Sequence, residues 1–342
     1  MTTNGIGSAG PVEPDAAHEP DAHAIRRARQ RLRDAARHTP LEHSAWLSEI
    51  AGVPVHLKLE CWQRTRSFKF RGAYHAVSAL DPTTRARGLV TASAGNHGLA
   101  TALAARLLDA TATIFVPASA PATKKDRIRR AGGELREVPG IYDDAAAAAR
   151  AFADQTDAHF LNAFTDPDVV AGQGTVGLEV LDELAADAEP GRDPLNVVVP
   201  VGGGGLVAGV GIALRDADRP TRVIGVQSTA TTAMHAAFEA GRVVDVHDPS
   251  TTLCDGLAGE TEPVAYERAR RVVDALELVD EAGVAPAIRA LYRHEAVVAE
   301  GSGAVGVAAI LDGAVRLDGP GVVVITGGNI DASTLARILH GD

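Results

Sequence analysis

The sequence predicts a parallel α/β fold with helices on both faces of its sheets. Three observations predict it: short β-branched runs recur along the chain, segments of helical periodicity fall between them, and the strands end in loops rich in Gly, Ser and Asn. The strand candidates are 53–60, 88–93, 112–117, 159–164, 196–202, 222–227 and 321–326. Helical patterns between them include 96–108, 143–153, 175–184 and 205–214. In such sheets ligands bind beyond the carboxyl ends of the strands, where loops lead into helices.

At 342 residues and 46% hydrophobic composition, the chain is long enough for two domains and a large core. The net charge of −11 argues against general nucleic-acid binding, which needs clustered positive charge. No apolar run reaches membrane-spanning length, and the N-terminus lacks a basic stretch followed by an apolar one, so cytoplasmic location is expected. Residues 1–22, rich in Gly, Pro, Ala, Asp and Glu, are expected to be a disordered tail. Cys61 and Cys254 cannot make a disulfide framework and read as reduced and structural. The histidines show no metal-binding spacing.

Four segments carry chemistry. In TRSFKFRGA (65–73), Lys69 lies between Phe68 and Phe70 at an expected helix start. Desolvation there, with Arg71 nearby, favours the neutral amine that attacks an aldehyde, although the same pattern also suits a lysine snorkelling to solvent. In PVGGGGLVAG (200–209), Gly202, Gly203, Gly204 and Gly205 join a strand to a helix and can converge backbone N–H groups on a phosphate. A dinucleotide fits less well, because the segment about twenty residues on lacks the required acid. TASAGNHG (91–98) also opens a helix, and Ser93, Asn96 and the amides there can hold a carboxylate or a ring oxygen. VITGGNID (324–331) ends a strand with the hydroxyl of Thr326.

In this order, KLECWQRTRSFKFRGA, SAGNHG, VAGQGTVGLEV, PVGGGGLVAG, CDGLA, AEGSGAVGVAA and TGGNID resemble the fold type II pyridoxal-phosphate enzymes, specifically the serine/threonine dehydratase group that includes serine racemase. The resemblance runs from about residue 25 to the end. It implies two open twisted, mainly parallel sheets, as in the tryptophan-synthase β subunit. It also implies a large cofactor domain (23–87 and 166–342), a small substrate-clamping domain (88–165), and no C-terminal regulatory domain.

By the same resemblance, Lys69 carries pyridoxal 5'-phosphate as a Schiff base and acts as Cα base, with Phe68 against the ring. Gly202 to Gly205 cup the phosphate, Asn96 meets the ring oxygen and Thr326 faces the ring nitrogen. Ser67, Ser93, Ala94, Gly95, Asn96 and His97 take the substrate. The implied reaction is dehydration and deamination of L-threonine or L-serine to 2-oxobutyrate or pyruvate. Alternatives are a lyase for another β-hydroxy amino acid such as 3-hydroxyaspartate, a racemase, or a non-catalytic cofactor-binding protein. Ala94 stands where racemases carry a second Ser, which disfavours two-base racemisation. Gln227 replaces the Glu of metal-dependent relatives, so no strict divalent-metal need is expected. Arg66 replaces a frequent Gly and could alter substrate preference or point to solvent. A homo-oligomer, dimer or tetramer, is the family's habit.

Overall fold

The computed structural model describes residues 19–187, 193–246, 251–259 and 261–341. Residues 1–18 of the expected tail lie outside the described residues. Its last four residues are folded: Asp21 caps the helix Ala22–Leu32 by accepting the Ala24 N–H at 2.6 Å, and Glu19 pairs with the buried Arg268.

The ten strands are β1 (Leu41–His43), β2 (Val55–Lys58), β3 (Leu89–Ala92), β4 (Ala112–Pro117), β5 (Glu134–Val138), β6 (His159–Phe160), β7 (Leu195–Pro200), β8 (Thr221–Ser228), β9 (Ala275–Val279) and β10 (Gly321–Val324). They form a six-stranded sheet, β1-β2-β10-β7-β8-β9, and a four-stranded sheet, β5-β4-β3-β6. Every pairing is parallel except β1 with β2. All seven expected strands are present. The three unexpected ones, β1, β5 and β9, are sheet edges whose exposed or half-buried residues break the apolar pattern. The expected strand 159–164 stops at Phe160, because Asn162 turns the chain there.

Period-two alternation sends β7 side chains to both faces of the larger sheet. Val198 packs with Ile224, Val323 and the helix Gly301–Leu311. Val197 and Val199 pack on the other face with Val207, Val210 and Leu214 of the helix Gly205–Arg215. Under the smaller sheet, Ile114 and Val116 meet Ala100 and Ala104 of the helix Asn96–Leu107. Val90 and Phe115 cover Ala145 and Ala149 of the helix Tyr142–Thr156. Cys61 and Cys254 are buried and free, and burial pushes both thiols up, Cys61 to about 12.

The helix Lys69–Ala79 joins the two halves. Phe70, Ala73 and Val77 enter the core beneath the smaller sheet. Gly72 lies so close to the helix Pro167–Asp187 that an added Cβ would come within 2.6 Å of the Val169 carbonyl. Between these contacts Arg71, 1% exposed, makes paired hydrogen bonds with Glu60 (2.7 and 2.8 Å) and Glu179 (2.6 and 2.8 Å). Lys58 extends this buried network to Glu179 and Glu183.

Candidate active site

The loops after β3, β7 and β10 open into one cleft of about 1210 Å³ between the sheets. Lys69, Phe68, Ser93, Ala94, Gly95, Asn96, His97, Gly202, Gly203, Gly204, Gly205 and Thr326 all line it. Ser67 does not line the cleft. It is buried below, its hydroxyl 3.4 Å from the Lys69 N–H at the helix start and its backbone bridged to Gly327.

Lys58, Lys124 and Lys125 each form ion pairs with carboxylates. Among the described residues, Lys69 has no carboxylate partner; its Nζ donates to the Ala163 carbonyl at 3.2 Å and lies 5.2 Å from the Phe68 ring centre. Burial alone lowers the Lys69 amine to about 8. The expected help from Arg71 is absent, because two helical residues on the chain turns away and its guanidinium is engaged by Glu60 and Glu179.

Gly204 adopts φ +88°, and a Cβ on Gly203 would lie 2.5 Å from the Phe164 ring. The run therefore admits a backbone path and an aromatic neighbour that side chains would obstruct. It leads into the helix Gly205–Arg215, whose first-turn N–H groups have no intrahelical partners and point the positive end of the helix dipole at the cleft. An unpaired amine facing such a cradle fits a cofactor that carries both an aldehyde and a phosphate.

Asn96 begins the helix Asn96–Leu107 and donates its side-chain amide to Glu300 at 2.6 Å, while its amide oxygen accepts from Asn329 at 2.7 Å. The second Glu300 oxygen accepts the Asn329 backbone N–H at 3.1 Å. Burial first, then the charge of Asp255, pushes Glu300 up to about 7. His97 is held neutral: burial first, then the charge of Lys69, pushes it down to about 3, against a contact with the Leu161 carbonyl at 3.2 Å. Thr326 donates to the Ser302 carbonyl at 3.3 Å, and Ser302 accepts the Gly256 N–H at 3.0 Å.

Further bonds cross the cleft mouth. Lys124 pairs with Asp255 at 2.6 Å, and Arg127 donates to Asn329 at 3.2 Å. Sequence reasoning missed Glu300, Asn329, Ser302, Asp255 and Lys124. The segments AEGSG, TGGNID and CDGLA contained four of them, but nothing local marks their partners. Arg66 is exposed and outside the cleft lining, so it offers no cation to a substrate. Gln227 is buried, its side-chain oxygen accepting the His235 N–H at 2.7 Å. Among the described residues, His38, Glu179 and Glu183 are grouped closely enough to hold a metal ion, but the Lys58 ammonium already bonds both glutamates.

Two mainly parallel α/β sheets enclosing a half-buried, uncharged-prone amine and an anion cradle define an enzyme class that uses a bound aldehyde as electron sink. The chain belongs to the family described as pyridoxal-phosphate dependent enzyme, which matches residues 32–327. It is 41% identical over 320 residues to the L-threonine ammonia-lyase of Thermotoga maritima, covering 92% of this chain and 77% of that one. It is 35% identical over 317 residues to the catabolic L-threonine dehydratase of Escherichia coli K12, covering 91% and 93%. Among solved structures it resembles the T.th. threonine deaminase (TM-score 0.84, 33% identity, 91% of this chain and 99% of that chain). Maize serine racemase is similar in the same way (TM-score 0.86, 29% identity, 94% and 97%).

Proposed function

We propose that this enzyme removes water and ammonia from L-threonine or L-serine, giving 2-oxobutyrate or pyruvate. The observation that carries the proposal is the Lys69 amine, half-buried, without an ion-pair partner among the described residues and depressed to about 8, lining the same cleft as the glycine cradle. The relatives named as threonine ammonia-lyases and dehydratases support the substrate class.

Pyridoxal 5'-phosphate, when bound, acidifies the substrate Cα by withdrawing electrons. Lys69 would hold the cofactor and, when its amine is free, would serve as the Cα base; its depressed pKa keeps free base available near neutral pH. Gly202 to Gly205 and the helix they begin hold the phosphate. Phe68 and Thr326 line the cleft, where Phe68 would pack against the ring and the Thr326 hydroxyl would meet the ring nitrogen. One Asn96 amide hydrogen is held by Glu300, which leaves the other for the ring oxygen. Ser93, Ala94, Gly95, Asn96 and His97 form the substrate-carboxylate loop, with backbone amides and the Ser93 hydroxyl as donors and His97 as a neutral wall. Ala94 offers no proton to the opposite substrate face, which favours elimination over racemisation.

The smaller sheet, within residues 88–165, is the substrate clamp, and residues 23–87 and 166–342 form the cofactor domain. The enzyme is a cytoplasmic homo-oligomer, dimer or tetramer. No helix among the described residues is long and apolar enough to cross a membrane.

The test is release of 2-oxo acid from a panel of L-threonine, L-serine, their D-forms and 3-hydroxyaspartate, together with the visible absorbance of bound cofactor. Turnover of L-threonine and L-serine, with absorbance lost in Lys69→Ala, is expected. Turnover of 3-hydroxyaspartate alone, or protein that stays colourless after reconstitution, overturns the reading.

A further inference from the structure

After β6 the chain makes a tight turn. The side-chain oxygen of Asn162 accepts the backbone N–H groups of Phe164 and Thr165, both at 3.0 Å. An Asn side chain that captures amides two and three residues on substitutes for a backbone turn. The other end of the amide donates to Glu262 at 3.3 Å. Beyond the turn, Arg268 donates to the Thr165 carbonyl at 2.5 Å and is itself held by Glu19. The turn is thus fixed at both ends, and Ala163, inside it, aims its carbonyl at Lys69 Nζ from 3.2 Å.

We propose that Asn162 is a positioning residue for the Lys69 amine, acting through the Ala163 carbonyl. This rests on Lys69 being the Cα base. An amine on a four-carbon stem rotates freely; none of the carboxylates lining the cleft pairs with it, and apart from the Phe68 ring 5.2 Å away the Ala163 carbonyl is its partner among the described residues. One hydrogen bond to a rigid carbonyl fixes that rotor and leaves the lone pair, or the newly gained proton, facing the cleft. The same carbonyl replaces one lost water around the ammonium, so removing it disfavours the charged form. Asn162 itself lines the cleft but has its acceptor committed to the turn.

The test compares Asn162→Leu, which cannot accept the two amides, with Asn162→Ser, which can accept one. Three quantities are measured: cofactor absorbance after reconstitution, the pH midpoint for acetic-anhydride acetylation of Lys69 in the apoprotein by mass spectrometry, and kcat with KM. Asn162→Leu is expected to bind cofactor, to lower the Lys69 midpoint by about 0.5–1 pH unit, and to cut kcat about tenfold, the worth of one good hydrogen bond, with little change in KM. Asn162→Ser should restore most of both. Should Asn162→Leu fail to fold, Arg268→Gln, which frees the far end of the turn, is expected to shift the midpoint in the same direction. A folded, cofactor-loaded Asn162→Leu, or Arg268→Gln in its stead, with unchanged midpoint and kcat overturns the proposal. Wild-type protein that never binds cofactor overturns the Lys69 reading instead.

Discussion

Asn96 and Glu300 lie 204 residues apart, yet meet at 2.6 Å across the space between the two sheets. The buried Glu300 carboxyl is held near pKa 7, against about 4.5 when unfolded. A raised folded-state pKa means that the native protein holds a proton the unfolded chain has lost. The stabilisation is full below about pH 4.5 and is lost as pH rises through about 7. At about 1.4 kcal/mol per pH unit the full change is roughly 3 kcal/mol. Glu300→Gln removes the titration while keeping an acceptor for Asn96. Thermal melts from pH 4 to 8 should show the wild-type losing stability relative to the variant as pH rises, whereas parallel curves would contradict this account.

Arg71 predicts the largest loss of stability. Replacing it with Leu leaves Glu60 and Glu179 facing each other in a dry site, an expected cost of about 3–5 kcal/mol. Arg71→Lys keeps a charge but loses the paired geometry, so it should fall between the two. Urea unfolding midpoints of the three proteins provide the check.

Arg66 predicts a gain. It adopts φ +60°, where an L side chain costs about 1–2 kcal/mol and glycine costs almost nothing. Set against the greater chain entropy of glycine when unfolded, Arg66→Gly should stabilise by about 0.5–1 kcal/mol. Its melting temperature should rise while the substrate profile stays unchanged, because Arg66 does not line the cleft.

Ala94 predicts a change of reaction. Ala94→Ser places a hydroxyl in the cleft wall, in the loop that starts the helix Asn96–Leu107. A fall in oxo-acid release accompanied by new D-serine from L-serine, followed by chiral chromatography, is the expected outcome. A variant that loses elimination and gains no racemisation would remove Ala94 from the explanation of specificity.

The sequence made legible whatever is decided locally. β7, β10 and β3 are buried on both faces and read as mostly apolar runs, interrupted only by Asn196 and Thr91. β1, β5 and β9 lie at edges, where charged residues are tolerated and the pattern fades. The site followed the same division. Lys69, the four glycines and Ser93 to His97 sit at or just before helix starts, in segments whose composition marks the approach to a helix. Glu300, Asn329, Asp255 and Lys124 gain meaning only from partners far along the chain, which no local window contains. Asn162 reads as part of a strand in the sequence, because its neighbours are apolar and its turn-forming hydrogen bonds are invisible in composition.

The helix Lys69–Ala79 is anchored on one side by Gly72 against its neighbour and by Arg71 between two carboxylates, and on the other by Phe70 and Val77 in the second core. The Cα of Lys69 therefore sits at the start of a helix packed on both sides. Its remaining freedom is that of one flexible stem, about 2 kcal/mol of rotamer entropy. If the two sheets rock as substrate enters and product leaves, the loops sweep around a stationary reactive nitrogen. The reacting atom need not be found anew on each turnover, since the cleft closes on a fixed point.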